Sequence, residues 1–216
     1  MAQKQEKLDL IQRRALRIIK GTATFDDRFV PDHDELIRLI DILRSSGCII
    51  AFVTGVWDLF HEGHGKYLEL GKEEARKLYP EAEQLILVVG IDTDAFTRSR
   101  KKNKGQERPI VPETERSRVL GFLRSVDIIT PQDKADQLFS IVKHDVRIIS
   151  KSTEDLPDLK KIQAKCEHVV NLPPQSETST TARVRNLALA GGVEVLERLR
   201  DQIDKVIEET RNGIKK

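Results

Sequence analysis

The sequence predicts an α/β domain: a parallel five-stranded sheet with helices on both faces. Three observations lead there. Short apolar runs rich in β-branched residues recur at residues 48–54, 85–91, 126–130, 146–150 and 168–172, each of strand length and bounded by polar or breaker residues. Between them the apolar residues fall at three- and four-residue steps, the period of an amphipathic helix. Strand and helix therefore alternate, which gives parallel strands joined by helical crossovers. Runs as continuous as Leu85-Ile86-Leu87-Val88-Val89 are what a strand covered on both faces requires.

In chain order, residues 3–20 place Leu8, Ile11, Ala15, Ile18 and Ile19 on one stripe, so this is one helix packed on the domain or on a second subunit. Residues 21–31 are a connector. Asp32 or Asp34 caps the next helix, 35–44, before Ser46-Gly47. The first strand follows, then a turn, then a helix at 64–79 that Pro80 stops. After the second strand, Pro112 and the acids Glu113 and Glu115 open a helix running to 125. Helices at 133–143 and 157–166 precede the fourth and fifth strands. A helix begins at the hydroxyl run Ser179-Thr180-Thr181 and ends at Gly191-Gly192, and residues 193–212 form a last amphipathic helix. The chain divides into an N-terminal helical extension (1–47), a central domain (48–190) and a C-terminal helix (191–216).

The stretch Val53-Thr54-Gly55-Val56-Trp57-Asp58-Leu59-Phe60-His61-Glu62-Gly63-His64 organises the chain. A strand feeding a helix across a tight turn presents backbone N–H groups at a helix N-terminus, a place for phosphate. His61 and His64 lie three apart, so on helical or turn geometry they face the same way. Gly63 lets a ligand approach the backbone. Imidazoles so placed donate hydrogen bonds to phosphate oxygens that gain charge during attack. The hydroxyl run at 179–181 exceeds what one helix cap needs and makes a second anion site. Residues 98–108 are the most basic stretch, with Arg98, Arg100, Lys101, Lys102, Lys104 and Arg108. It reads as a solvated loop, a nucleic-acid patch or a phosphate clamp. Without interleaved aromatics the nucleic-acid reading has least support. Asp94, just past the second strand, caps a helix or lines the ligand crevice.

The motif from Thr54 to His64 resembles the G-x-F-D-x-x-H-x-G-H signature of the cytidylyltransferase-like nucleotidyltransferases, with Trp57 in place of Phe. The resemblance extends to about residue 190 and is nearest the heptose-phosphate adenylyltransferase and glycerol-3-phosphate cytidylyltransferase branches. It implies a Rossmann-like nucleotidyltransferase fold. It also implies transfer of CMP or AMP from CTP or ATP to a sugar or polyol phosphate, with release of diphosphate. On this resemblance His61, His64 and Lys104 are catalytic. Thr54, Gly55, Val56, Trp57, Gly63, Arg108, Ser179, Thr180 and Thr181 bind the nucleotide, and Asp58, Asp94, Arg116 and Lys151 face the acceptor. Lys104-Gly105-x-x-Arg108-Pro109 matches a K-G-x-x-R-P segment of the heptose branch, as Asp94 and Lys151 match that branch. Arg116 either pairs with Asp127 or binds phosphate. The chain departs from the family where Ser150-Lys151-Ser152 replaces a Gly-Asp pair, and where Glu177-Thr178 precedes the hydroxyl run. The broad signature favours CTP and the heptose-like details favour ATP. Dimers are implied.

No metal-ligand cluster accompanies the histidines, and magnesium (Mg2+) is expected to arrive with the triphosphate. A net charge of +2, from 37 Lys and Arg against 35 Asp and Glu, gives no bulk argument for a nucleic-acid or membrane partner. Cys48 and Cys166 sit in apolar contexts and suit reduced thiols. With no apolar leader at its start, the chain reads as cytoplasmic. The other readings are a pantetheine-phosphate or mononucleotide adenylyltransferase and a non-catalytic nucleotide binder of the same fold. A class I aminoacyl-tRNA synthetase fragment is disfavoured by the lack of a K-M-S-K-S loop.

Overall fold

The computed structural model describes residues 2–100, 108–150, 164–175 and parts of 189–202. Contacts divide the chain into two units, Met1–Gln175 and Ser176–Lys216. In the second, the described residues between 189 and 202 are helical, Gly191 and Gly192 included, so the break expected at the two glycines is not seen there.

The first unit is built on β1 (Cys48–Gly55), β2 (Gln84–Asp92), β3 (Ile128–Gln132), β4 (Val146–Ser150) and β5 (His168–Leu172). All pair in parallel, in the order β3-β2-β1-β4-β5. Strand order reverses between β1 and β4, so the crevice outside their C-terminal ends is the topological switch point, where open α/β sheets take their ligands.

Alternation along β1 shows how the apolar runs are used. Ile50 and Phe52 join one core with Ile11, Ala15 and Ile18 of α1 (Ala2–Ile19) and Leu36, Leu39, Ile40 and Leu43 of α3 (His33–Ser45). Ala51 and Val53 join the other, with Leu68 and Ala75 of α4 (Glu62–Leu78) and Leu120 of α6 (Glu113–Gly121). Successive strand side chains point to opposite faces, and both faces are covered. The N-terminal region is thus part of the domain core. Asp32 caps α3, its Oδ1 accepting from the N–H groups of Asp34 (2.9 Å) and Glu35 (3.1 Å).

Four expectations change. The connector at 21–31 holds a helical turn, α2 (Phe25–Arg28), and Phe29 bridges Ile129 at the sheet edge. Arg17 of α1 secures that turn by pairing with Asp27. The helix expected to reach 125 stops at Gly121, where a Cβ would meet the Phe25 ring at 2.4 Å. The helix expected at 133–143 contracts to α7 (Gln137–Ile141), since Asp136 before it takes a left-handed backbone (φ 60°). Residues 164–166, the described end of the helix expected at 157–166, form a turn.

Candidate functional site

Past Gly55 the chain makes a strained turn. Trp57 (φ 57°) and Leu59 (φ 46°) both occupy the left-handed region, which costs a non-glycine residue roughly 1–2 kcal/mol. Tertiary contacts hold it. The Trp57 indole is 5% exposed and its Nε1–H donates to Gly90 O at 3.0 Å. Its ring lies over Gly55, where a Cβ would meet it at 3.0 Å. A side chain at 55 would press on that ring. Trp57, expected at the nucleotide, therefore spends its side chain on packing.

The turn delivers His61 to the N-cap of α4. His61 Nδ1 accepts the Gly63 N–H at 3.1 Å, and His64 Nδ1 faces the His61 N–H at 3.4 Å. The two rings stack with centroids 4.0 Å apart, and His64 also packs on Phe60 and the edge of Trp57. Nδ1 accepts in each neutral ring, so the proton sits on Nε2. A cap hydrogen bond thus sets the tautomer that makes each Nε2 a donor. Both rings are half-buried, beside the positive end of a 17-residue helix.

A second region straps the turn down. Arg116 is 2% exposed, and its guanidinium donates to four acceptors. Nε reaches Val111 O (2.8 Å), Nη1 reaches Val56 O, and Nη2 reaches Asp92 O (3.0 Å) and Asp94 Oδ1 (2.6 Å). It joins the loop after β1, the end of β2 and the start of α6. The alternative Arg116–Asp127 pair does not form; Asp127 pairs with Lys72 at 2.6 Å. Arg116, expected to face the acceptor, is a positioning residue. Asp94, starting α5 (Asp94–Arg100), holds Arg116; the Phe96 N–H is capped instead by Thr93 Oγ1.

Asp58, also expected at the acceptor, is 2% exposed. Its carboxylate accepts from the N–H groups of Ile110 and Val111 at 3.0–3.2 Å, and from Arg108 Nε and Nη2 at 3.1 and 3.0 Å. Burial pushes its pKa up, but these donors outweigh burial and hold it below the usual value. Arg108, expected on phosphate, meets a carboxylate in this structure. Lys104, Lys151, Ser179, Thr180 and Thr181 lie outside the described residues.

No protein-family model matches the chain. It is similar to curated proteins called bifunctional protein HldE: 34% identical over 124 residues in a Nitratiruptor species, covering 56% of this chain and 24% of that protein. The Desulfatibacillum aliphaticivorans protein is 31% identical over 159 residues, 71% of this chain and 30% of the relative. The Helicobacter pylori protein is 35% identical over 115 residues, 52% and 22%. These similarities support the resemblance to the cytidylyltransferase-like nucleotidyltransferases. It spans about a quarter of the length of the HldE proteins it matches. Among solved structures, a Streptococcus pneumoniae chain titled macrolide-efflux protein is 17% identical at a TM-score of 0.48, covering 74% of this chain and 55% of that one.

Two residues near this nucleotidyltransferase signature escaped the sequence reading. Asp92, 1% exposed at the end of β2, pairs with Arg100 at 2.8 Å and accepts from Gln132 Nε2. Arg147 lies in β4 and donates to Thr54 Oγ1 at 2.8 Å. Its signal was a charge inside an otherwise apolar strand, Val146-Arg147-Ile148-Ile149. Among the described residues no group of three or more His, Cys, Asp or Glu could hold a metal ion. No described helix is long and apolar enough to cross a membrane.

Proposed function

We propose that the chain is an adenylyltransferase domain. A phosphate oxygen of a small sugar phosphate attacks the α-phosphorus of ATP, a new P–O–P link forms, and diphosphate leaves. The observation that carries this reading is the stacked His61–His64 pair, tautomer-fixed, at the N-terminus of α4 beside the sheet's switch point. Two Nε2–H donors suit oxygens that become more negative in the transition state. ATP is preferred over CTP on the heptose-like segment Lys104-Gly105-x-x-Arg108-Pro109 and the similarity to HldE proteins.

The residues fit a magnesium ion carried by the nucleotide rather than one caged by the protein. Asp58 and Asp92, the enclosed carboxylates nearest the signature, are already engaged by Arg108, Arg100 and Gln132. Phosphate oxygens and water would supply most of the ligands. Bound magnesium supplies charge neutralisation to the triphosphate. A cytoplasmic homodimer completes this reading.

A thermal-shift panel of ATP, CTP, GTP and UTP with magnesium names the donor, because a ligand that binds only the folded state raises the midpoint by mass action. ATP is expected to give the largest rise. A rise with CTP alone would reassign the donor. No rise with any triphosphate at millimolar concentration would overturn the reading.

A further inference from the structure

Among the described residues, Arg147 is the one charged side chain of the sheet interior that the architecture does not explain. Its Cα pairs in register with Phe52 of β1, yet its Nη2 reaches Thr54 Oγ1 at 2.8 Å, two residues further along β1. The guanidinium is thus carried up from mid-strand toward the C-terminal ends of β1 and β4, into the gap where strand order reverses. It lies over the Phe52 ring at 4.4 Å, which fixes its plane from below. Thr54 immediately precedes Gly55, where the signature turn begins.

The hydrogen bonding of this group is incomplete. Nε and Nη1 are shut off from solvent and have no acceptor among the described residues. Among the described residues no carboxylate pairs with it, and Asp136 acts only at a distance. Burial pulls its pKa down to about 10, still far above neutrality, so the group is charged. An enclosed, charged donor with no acceptor is among the costliest features a fold can carry. Where one persists beside a ligand crevice, a ligand group that completes it is the direct account. Arginine suits this role, because guanidinium donors match the oxygens of phosphate.

We infer that Arg147 is an anion-binding residue, and that a phosphate group seated between the C-terminal ends of β1 and β4 completes its hydrogen bonding. This deepens the proposed function and rests on it only for the owner of the phosphate, the nucleotide's phosphate chain or the phosphorylated acceptor.

The test compares wild type with Arg147→Met, which keeps an apolar stem over Phe52 and removes the charge. Inorganic triphosphate stands for the donor's phosphate chain and inorganic phosphate for the acceptor's. Without either anion, Arg147→Met is expected to melt at or above the wild-type temperature, because an uncompensated charge has been removed. One of the two anions is expected to raise the wild-type midpoint, and Arg147→Met is expected to bind that anion roughly tenfold to a hundredfold more weakly. The effective anion identifies the owner. If Arg147→Met fails to fold, Arg147→Lys, which keeps charge with fewer donors, must show the same weakening. Equal shifts in wild type and variant, or no shift with either anion at millimolar concentration, overturn the inference. Diphosphate release from ATP and a hexose 1-phosphate, measured on the same proteins, separates the two readings. Wild-type turnover with KM values unchanged in Arg147→Met overturns the anion contact and leaves the transferase standing. An anion shift lost in the variant, with no turnover in wild type, does the reverse.

Discussion

Arg116 and Arg147 are two enclosed arginines near the ends of the central strands, and the fold treats them in opposite ways. Arg116 has every nitrogen occupied, on three backbone carbonyls and the Asp94 carboxylate. Among the described residues Arg147 has one side-chain acceptor, Thr54, and two enclosed nitrogens with none. A satisfied buried charge is architecture; removing it strands its partners. An unsatisfied one is a standing cost that a bound anion removes. The contrast places the rigid side of the site at the β1–β2 edge and the ligand-completed side at the β1–β4 gap.

The largest expected effect breaks the first half of that contrast. Arg116→Met should cost about 3–5 kcal/mol, because Asp94 and three carbonyls lose their donor. Urea denaturation measures it, and a loss under about 1 kcal/mol, the net worth of one ordinary hydrogen bond, would show that the straps are ornamental. Next comes the chemistry the straps position. His64→Ala should lower turnover about a hundred- to a thousandfold while ATP still shifts the melting temperature; a loss of binding with unchanged turnover at saturation would move His64 out of the transition state.

The neighbour of Arg147 sharpens the other half. His144 is 6% exposed, with the Phe52 and Phe139 rings packed against it. Its Nδ1 bonds Val142 O at 2.7 Å, and Nε2 has no partner among the described residues. Burial lowers its pKa to about 4, Arg147 and Arg44 adding to the fall while the Val142 carbonyl and Asp145 oppose it. The unfolded chain therefore takes up this proton first, below about 6.5. Stability is fully present above that pH and declines as pH falls toward 4, by up to about 3 kcal/mol from this group. His144→Phe should flatten the decline in urea midpoints between about pH 6.5 and 4. An unchanged slope would assign it to other groups. The smallest effect calibrates the rest: Asp32→Ala, which removes the α3 cap and touches neither arginine, should cost about 1 kcal/mol by thermal or urea melting and leave turnover unchanged.

The strands were legible because buried parallel strands are continuous apolar runs; β4 and β5 fall on the residues that the pattern picks out. The histidine pair was legible because its spacing survives any turn geometry. Short helices were not. Residues 25–28 carry no period long enough to register, and α7 begins where Asp136 takes a backbone that local sequence does not announce. Side-chain roles were the least legible. Asp58, Arg108 and Arg116 read as ligand-facing charges, yet they face one another's loops, since their partners are up to sixty residues away in the chain. Arg147 went unread because a lone charge in an apolar run gives no indication of what it meets.

The most direct test of the whole account is diphosphate release from magnesium ATP across a panel of sugar phosphates, by wild type and His64→Ala in parallel. The account predicts release that requires both ATP and one phosphorylated sugar, and that falls at least about a hundredfold in the variant. Release that is independent of the sugar phosphate, or equal in the two proteins, would contradict it.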